Sequence, residues 1–287
     1  MTATTQIAVG DILVQRILEM EIPFRTPEYL FPDSPPEAID AHRHWMEPWA
    51  FCPETGKMII AVQSYLLRTS RHTILIDTCM GCDKTYESYK PWHKRTDRVW
   101  LTRLGAAGAR PEDIDYVFCT HLHADHCGWN TQLVDGRWVP TFPNAKYILA
   151  KREVEHVRTV PSRQYHESVL PVIEAGQAVL VETDFALDDE VWLEPTPGHT
   201  PGHVAVGLAS NGRQAVMCGD LIHCPIQCLY PAWRFWVDSD QGLGKQTRRN
   251  FLEGNCESGR LVLTAHFPSP SIGHVLEDGD AFRFRFL

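Results

Sequence analysis

Short apolar, β-branched runs alternate with turns and helical segments over most of the chain. Residues 58–68 and 72–77 read as two strands of a hairpin. Residues 97–107 are predicted to form a helix that Asp97 caps and Gly108 ends. Further strands are predicted over residues 116–119, 146–150, 179–181, 191–193, 204–208, 214–217, 261–264 and 282–286, and helices over 151–157 and 164–175. This order predicts an α+β fold in which two sheets carry helices on their outer faces.

Residues 21–56 interrupt this pattern, because they contain seven prolines and six aromatic residues. Proline at this density argues against a regular helix or a central strand. The aromatic residues nevertheless need burial, so we predict an arm that packs on the main domain or on a partner subunit. Residues 1–57 are therefore assigned to an N-terminal strand and arm, and residues 58–287 to a catalytic domain. A homodimer is expected, since two-fold oligomers are the commonest.

Composition excludes several classes of protein. The 287 residues carry a net charge of −9, which disfavours binding to nucleic acid or to an anionic membrane. The chain has no apolar run of about 18 residues and no apparent signal peptide, so a cytoplasmic location is expected. Nine cysteines, an odd number, do not suggest a disulfide framework. We interpret Cys79-x-x-Cys82 and Cys224-x-x-x-Cys228 as buried thiols, with a cysteine zinc site as the alternative.

The most informative segment is Thr120-His-Leu-His-Ala-Asp-His126, which follows a predicted strand. Neutral imidazole is the commonest metal ligand, and zinc accepts nitrogen and oxygen donors together. His121 and His123 are two residues apart, so on an extended segment their side chains lie on the same side. Asp125 and His126 follow where the chain turns. The segment predicts a metal site at the end of a strand.

Three later segments offer further ligands. Residues 196–203 form a double Pro-Gly-His turn that contains His199 and His203. Asp220 follows one predicted strand, and His266 follows another. Each segment alone is weak evidence for a metal site, but together with residues 120–126 the three segments predict one metal-binding cluster.

With these motifs the sequence resembles the metallo-β-lactamase superfamily, whose signature is His-x-His-x-Asp-His followed by later His, Asp and His ligands. The resemblance covers about residues 58–287, and Asp77 matches the family's early strand-end aspartate. It implies an αβ/βα sandwich with the site at one edge between two mixed sheets. One metal would be held by His121, His123 and His199, the second by Asp125, His126 and His266, with Asp220 as the bridge. His203 would then support the ligands.

The resemblance also implies two divalent metal ions, with zinc preferred and iron, manganese or cobalt as alternatives. Two such metals would turn a shared water into a metal-bound hydroxide that attacks a carbonyl or phosphoryl centre. Asp125 would orient this nucleophile and carry the proton to the leaving group.

Among relatives, the motifs favour lactonase-like and methyl parathion hydrolase-like enzymes. Lactonases typically have a tyrosine three residues after the bridging aspartate, where this chain has His223. This histidine is expected to donate a hydrogen bond to the developing oxyanion instead, with a surface histidine near the site as the alternative. The predicted function is hydrolysis of a lactone or ester of a hydrophobic small molecule, with organophosphate triester hydrolysis and an iron redox protein as alternatives. Aromatic residues near ligand-bearing segments are expected to line the substrate pocket. They are Trp129, Trp138, Phe142, Trp233 and Trp236.

Overall fold

The computed structural model describes residues 5–160 and 162–287. Its strands are β1 (Gln6–Val9), β2 (Ile12–Pro23), β3 (Phe51–Cys52), β4 (Lys57–Arg68), β5 (Thr73–Ile76), β6 (Tyr116–Phe118), β7 (Thr131–Val134), β8 (Arg137–Pro140), β9 (Lys146–Ala150), β10 (Ala178–Val181), β11 (Val191–Pro195), β12 (Val204–Ser210), β13 (Arg213–Met217), β14 (Leu261–Leu263), β15 (Ile272–Asp278) and β16 (Ala281–Phe286). Its α-helices are α1 (Pro27–Leu30), α2 (Pro36–Met46), α3 (Val99–Ala106), α4 (Ala124–Cys127), α5 (Lys151–Thr159), α6 (Leu170–Glu174), α7 (Ile226–Leu229) and α8 (Gln241–Asn255).

Two large mixed sheets face each other. The first has the order β1-β2-β4-β5-β6-β9-β10 with β3 paired to β4, and the second has the order β11-β12-β13-β14-β15-β16. A shared apolar core joins the sheets, because side chains of β4, β5 and β6 pack with those of β11, β12 and β13. Helices α3, α5 and α6 contribute to the core on the outer face of the first sheet, and α7 and α8 to that of the second. The predicted αβ/βα sandwich is confirmed.

The strand ends that carry the candidate ligands lie at one edge of the sandwich. Strands β5 and β6 are parallel neighbours in the first sheet, and β13 and β14 are parallel neighbours in the second. Carboxyl ends of parallel strands share an edge. The residues that follow these four strands are therefore brought together across the space between the sheets.

The expectation that residues 21–56 form no regular helix is wrong. Helix α2 has 11 residues, and α1 precedes it. Pro27 and Pro36 stand at the first helical positions, where no backbone N–H is required and the fixed φ of proline suits the helix. The segment packs on its own chain, because Phe31 and Met46 share an apolar cluster with Trp233.

Several other boundaries differ from the predicted ones. Helix α3 begins at Val99 with Arg98 as its N-cap, and Asp97 instead forms an ion pair with Arg95. Residues 164–175 divide into a π-helical turn, Tyr165–Val169, followed by α6. Helix α8, the longest helix described, was not predicted, because its polar composition lacks a strong apolar stripe. The closing strand is confirmed as β16.

All nine cysteines are free thiols, and seven of them are buried. Within residues 5–160 and 162–287, no helix has both the length and the apolar character that a membrane crossing requires.

A buried carboxylate lies in the core of the first sheet. The register of β2 on β4 shifts between Leu18 and Met20, so Glu19 is the extra residue of a bulge. Its carboxylate accepts hydrogen bonds from Trp129 Nε1 and Met80 N, both at 2.8 Å, and lies 3.3 Å from Arg95. Burial raises the pKa of Glu19 to about 7, although Arg95 opposes the shift.

Because of the raised pKa of Glu19, the free energy of unfolding is expected to depend on pH. The folded state favours the protonated acid, so this contribution to stability is complete below the unfolded pKa of about 4.3 and is lost as the pH rises to about 7. Glu19→Gln removes the titration. We expect the unfolding free energy of the variant, relative to wild type, to rise by about 3 kcal/mol between pH 4 and pH 8. Urea denaturation across this range measures it. Glu21→Gln on the same strand is the control, and parallel pH profiles for wild type and Glu19→Gln would contradict the prediction.

Candidate metal centre and active site

Histidine and carboxylate side chains from both sheets meet at the edge of the sandwich. Residues 120–126 follow β6 and enter α4, and the loop between β11 and β12 carries His199. Asp220 follows β13, and His266 follows β14. Two groups of candidate metal ligands form, and a third group, Asp220, His223 and His266, overlaps both; in each group the donor atoms lie within 4.8 Å of one another. The first comprises His121, His123, His199 and Asp220, and the second comprises Asp125, His126 and His266.

Asp220 lies between the two groups and turns one oxygen toward each. Its Oδ2 lies 3.3 Å from His199 Nε2 and 3.7 Å from His121 Nε2. Its Oδ1 lies 3.0 Å from the Nε2 atoms of His126 and His266. The sequence pattern places a bridging carboxylate at this residue, and the geometry suits that role.

Hydrogen bonds on the outer side of the cluster orient the imidazoles. His126 Nδ1 donates to Asp77 Oδ2 at 2.8 Å, and His266 Nδ1 donates to the carbonyl oxygen of Ala61 at 2.8 Å. Asp77 also accepts from Thr120, which follows β6. Such partners fix the tautomer, so each Nε2 presents its lone pair to the centre of the cluster.

His199 depends on two residues that the sequence motifs did not indicate. Its Nδ1 donates to Asp238 Oδ1 at 2.9 Å, and Arg248 on α8 donates to Asp238 Oδ2 at 3.1 Å. Arg248 is 1% exposed and also donates to the backbone carbonyls of Leu221 and Trp233. Arg248 lies in the buried stripe of α8, whose mixture of polar and apolar residues gives no distinct pattern in the sequence. The members of this stripe are Gly244, Arg248, Phe251, Leu252 and Asn255.

Two glycines permit the tight turns that hold the ligands. Gly198 has φ +135°, and a Cβ there would lie 2.4 Å from Gly244 N of α8. Gly219 has φ +53°, and a Cβ there would lie 2.5 Å from His203 Nε2. His203 itself accepts a hydrogen bond from the backbone N–H of Asp220 at 2.9 Å. It thus holds the backbone of Asp220, and its role in supporting metal ligands stays a prediction.

The electrostatics of the cluster suit cations. Burial lowers the pKa values of His121 and His123 well below the ordinary range, so both are neutral and offer lone pairs. Burial also opposes ionisation of Asp220, but the surrounding histidines outweigh it and hold the pKa well below its usual value. For His126, burial acts against protonation, whereas the charge of Asp220 raises the pKa well above the ordinary value. This part of the cluster therefore attracts positive charge.

Two orphaned atoms test whether metal ions fit. His121 Nε2 and Asp220 Oδ1 are buried and have no hydrogen-bond partner in the described part of the chain. Leaving buried acceptors unsatisfied is costly, and a cation at each group would remove that cost. Imidazole nitrogens with carboxylate oxygens are the donors that zinc prefers. The residues present fit two divalent ions.

His223 and Asp125 border this cluster in different ways. His223 Nε2 lies 3.0 Å from Asp220 Oδ2, and its ring stacks on Phe235 at a centroid separation of 3.3 Å. Its Nε2 is thus directed at the bridging carboxylate. Asp125 Oδ1 lies 3.9 Å from His126 Nε2, and its side chain retains 15% exposure toward the adjoining cavity. Of the two residues, Asp125 has the freer polar atoms.

A cavity of about 220 Å³ opens on the cluster. Asp125, Asp220, His123, His223 and His266 line one side of it. The rest of the lining is mainly apolar and aromatic, and is formed by Phe24, Ile60, Tyr89, Trp92, Phe235, Trp236 and Val237. Most of this wall comes from residues 21–56, from the segment after β5 and from the loop before α8. Such a cavity suits a small apolar molecule with a polar reacting group.

Of the five aromatic residues predicted for the pocket, only Trp236 lines this cavity. Trp129 is wrong, because the turn Gly128–Asn130 carries it into the core, where it stacks on Trp100. Phe142 is wrong because it is fully buried in the same core.

The two remaining predicted pocket residues also lie elsewhere. The ring of Trp138 on β8 lies 3.7 Å from Lys84 Nζ and does not line this cavity. Trp233 stacks on Tyr230 and packs behind the cavity wall. In both positions the ring covers other protein groups, so neither supports the predicted contact with substrate.

Comparison with known protein sequences finds N-acyl homoserine lactonases among the relatives of this chain. An N-acyl homoserine lactonase of Bacillus cereus is 31% identical over 171 residues, which are 55% of this chain and 62% of the relative. The N-acyl homoserine lactonase AttM of Azorhizobium caulinodans is 38% identical over 65 residues, 23% of this chain and 21% of the relative. The chain thus matches less than two thirds of the length of these curated relatives.

Solved structures match over nearly the whole chain. A hydrolase of the beta lactamase superfamily, AbOPH, superposes with a TM-score of 0.82 at 21% identity and covers 99% of this chain and 97% of its own. AidC, a dizinc quorum-quenching lactonase in complex with a product, superposes with a TM-score of 0.79 at 21% identity, covering 99% and 98%. These similarities show the fold. The family model for the metallo-beta-lactamase superfamily matches residues 60–266, most of the chain and all seven candidate ligands, and the chain belongs to that superfamily.

Proposed function

We propose that this protein hydrolyses the lactone or ester bond of a hydrophobic small molecule with two divalent metal ions, zinc being the preferred metal. The observation that carries the proposal is the placement of Asp220, whose two oxygens each face a separate group of histidines at the mouth of an apolar cavity. The lactonases among the relatives support the substrate class.

The seven candidate ligands would hold two metal ions. His121, His123 and His199 would hold one ion, Asp125, His126 and His266 the other, and Asp220 both. When bound, such a pair of ions polarises the substrate oxygen and makes water a stronger nucleophile.

Asp125 is proposed to move the proton. Hydrolysis forms a bond from water oxygen to the acyl carbon and breaks the bond to the leaving oxygen, which then needs a proton. Asp125 borders both the cluster and the cavity, so its carboxylate can take the proton from the attacking water and give it to the leaving oxygen. The aromatic wall of the cavity limits access of bulk water and accepts the apolar part of the substrate.

His223 is proposed to act on Asp220. Its hydrogen bond to Asp220 Oδ2 holds the bridging carboxylate in place, and the stacked ring of Phe235 fixes its own orientation. Donation by His223 to an oxyanion stays a prediction, since it requires its Nε2 to turn from Asp220 toward substrate.

A substrate screen tests the proposed function. Purified protein is loaded with zinc, manganese or iron(II) and assayed on N-hexanoyl homoserine lactone, p-nitrophenyl hexanoate and a diethyl aryl phosphotriester. We expect kcat/KM to be at least tenfold higher for the lactone than for the other two substrates, with two equivalents of zinc bound. A faster phosphotriester reaction would favour the organophosphate alternative. A coloured, redox-active iron form that hydrolyses none of the three would contradict the proposal.

A cytoplasmic location and a homodimer stay predictions. The seven buried free thiols are consistent with a reducing compartment. Tyr29 and Trp236 are both partly exposed and lie in contact on the surface, with ring centroids 4.8 Å apart, so they offer an apolar patch to a second subunit.

A further inference from the structure

One permanent positive charge lines the active-site cavity. Among the described residues that form it, Arg25 is the sole lysine or arginine. The backbone around Arg25 is fixed to β4, since Met58 N donates to the Arg25 carbonyl at 2.9 Å and Phe24 N donates to the Met58 carbonyl at 2.8 Å. The side chain thus starts from a rigid position on the wall that faces the apolar interior.

Aromatic rings rather than carboxylates surround this guanidinium. Its Cζ lies 4.6 Å from the ring centroid of Tyr89, 5.0 Å from that of Tyr29 and 5.5 Å from that of Phe24. The π faces attract the cation but carry no formal charge to neutralise it. In residues 5–160 and 162–287, no aspartate or glutamate forms an ion pair with Arg25. Other arginines with partly buried side chains, such as Arg95 and Arg260, do have carboxylate partners.

The donors of Arg25 are also underused. Its Nε is buried and lacks a hydrogen-bond partner in the described part of the chain. One terminal nitrogen reaches the carbonyl oxygen of Ser88 at 3.5 Å, the outer limit for a hydrogen bond. A buried donor without a partner is costly, and an oxygen acceptor supplied by a ligand would remove that cost. The planar fork of a guanidinium matches a carboxylate, which can accept two hydrogen bonds at once.

We propose that Arg25 is a specificity-determining residue that binds a carboxylate at the far end of the substrate. The preferred substrate is then an anionic ester or lactone whose scissile bond lies at the metal cluster and whose carboxylate lies across the apolar wall. This inference rests on the proposed hydrolase function for the reacting end of the substrate. A neutral acyl chain would leave the buried Nε of Arg25 without an acceptor, which is why the anionic class is favoured.

Matched substrates test the preference. The probes are p-nitrophenyl hexanoate and mono-p-nitrophenyl adipate, which have acyl chains of equal length and differ in the terminal carboxylate. We expect wild type to prefer the adipate ester in kcat/KM. Arg25→Met should lower kcat/KM for that ester tenfold or more, mainly through KM, and change the neutral ester less than threefold. Arg25→Lys should restore part of the loss, because it keeps the charge without the fork. Arg71→Met, which removes an exposed arginine near Asp189, is the control for net charge.

A binding measurement separates this inference from the hydrolase proposal. Fluorescence of Trp92 and Trp236, which line the cavity, reports binding of monocarboxylates and dicarboxylates of five to ten carbons to the zinc-loaded protein. We expect dicarboxylates of a suitable length to bind at least tenfold tighter than the matching monocarboxylates, and Arg25→Met to abolish the difference. Equal binding of the two series to wild type, or an equal loss for both in Arg25→Met, would overturn the role of Arg25. A dicarboxylate preference without hydrolysis of any ester would uphold Arg25 and reject the hydrolase proposal.

Discussion

Replacing Asp220 with alanine is expected to reduce the zinc bound per chain from two equivalents to one or none and to lower kcat by about 10³-fold or more. The two oxygens of Asp220 serve separate groups of histidines, so a single substitution removes a ligand from both sites. Removing it also leaves the imidazoles of His126 and His266, only 3.2 Å apart at their Nε2 atoms, without the carboxylate that draws positive charge there. The polarisation that two ions supply is worth several kcal/mol, which corresponds to a loss of this size.

Elemental analysis after dialysis, together with calorimetric zinc titration, measures the effect. Asp238→Ala is the matched control, because Asp238 hydrogen-bonds to His199 alone among the proposed ligands and does not itself enter the cluster. Loss of such a supporting carboxylate typically weakens metal binding 10–100-fold without removing a site. His223→Ala should likewise keep two equivalents. Circular dichroism confirms that each variant is folded. Two tightly held equivalents in Asp220→Ala would contradict the bridging role.

The sequence motifs predicted which side chains the fold brings together, because these residues follow strand ends. Asp220 and His266 lie three residues after the ends of β13 and β14, and residues 120–126 begin two residues after β6, so local pattern and spacing predict where these side chains lie. The parallel pairing of these strands then brings the side chains together. The position of a strand end is local information, and the pattern of apolar residues along the chain reveals it.

The cavity could not be predicted in the same way. Whether Trp129 or Trp236 faces the cavity depends on the direction of a short turn and on packing between distant segments, and neither leaves a periodic pattern. Trp129 is three residues from His126 yet points into the core, whereas Trp236 reaches the cavity from a loop beyond α7. Proximity to a ligand in sequence does not determine the direction of a side chain.

In the N-terminal region the sequence led to a wrong prediction of secondary structure. Seven prolines argued against helix over residues 21–56, but proline opposes helix only from the second turn onward. Pro36 begins α2, and no proline follows within the helix up to Met46. The position of each proline, rather than their number, determines what the segment can form.

Replacing Asp125 with asparagine is expected to lower kcat by about 10²–10⁴-fold, the usual contribution of a positioned acid or base, while two equivalents of zinc are retained. Asparagine is nearly isosteric and keeps an oxygen that can contact a metal, so the second group of ligands stays complete. It cannot accept and release a proton, so the transfer from the attacking water to the leaving oxygen fails.

The nature of the leaving group separates this role from simple metal loss. A p-nitrophenolate leaves readily as an anion, whereas the alkoxide of a lactone or an alkyl ester needs a proton as the bond breaks. The loss in kcat for Asp125→Asn should therefore be at least tenfold larger on N-hexanoyl homoserine lactone than on p-nitrophenyl hexanoate. His126→Ala is the comparison, because it removes a ligand from the same group and should slow both substrates by similar factors. If Asp125→Asn also slows both substrates equally, or retains kcat within a few-fold of wild type, Asp125 is a metal ligand and another group carries the proton.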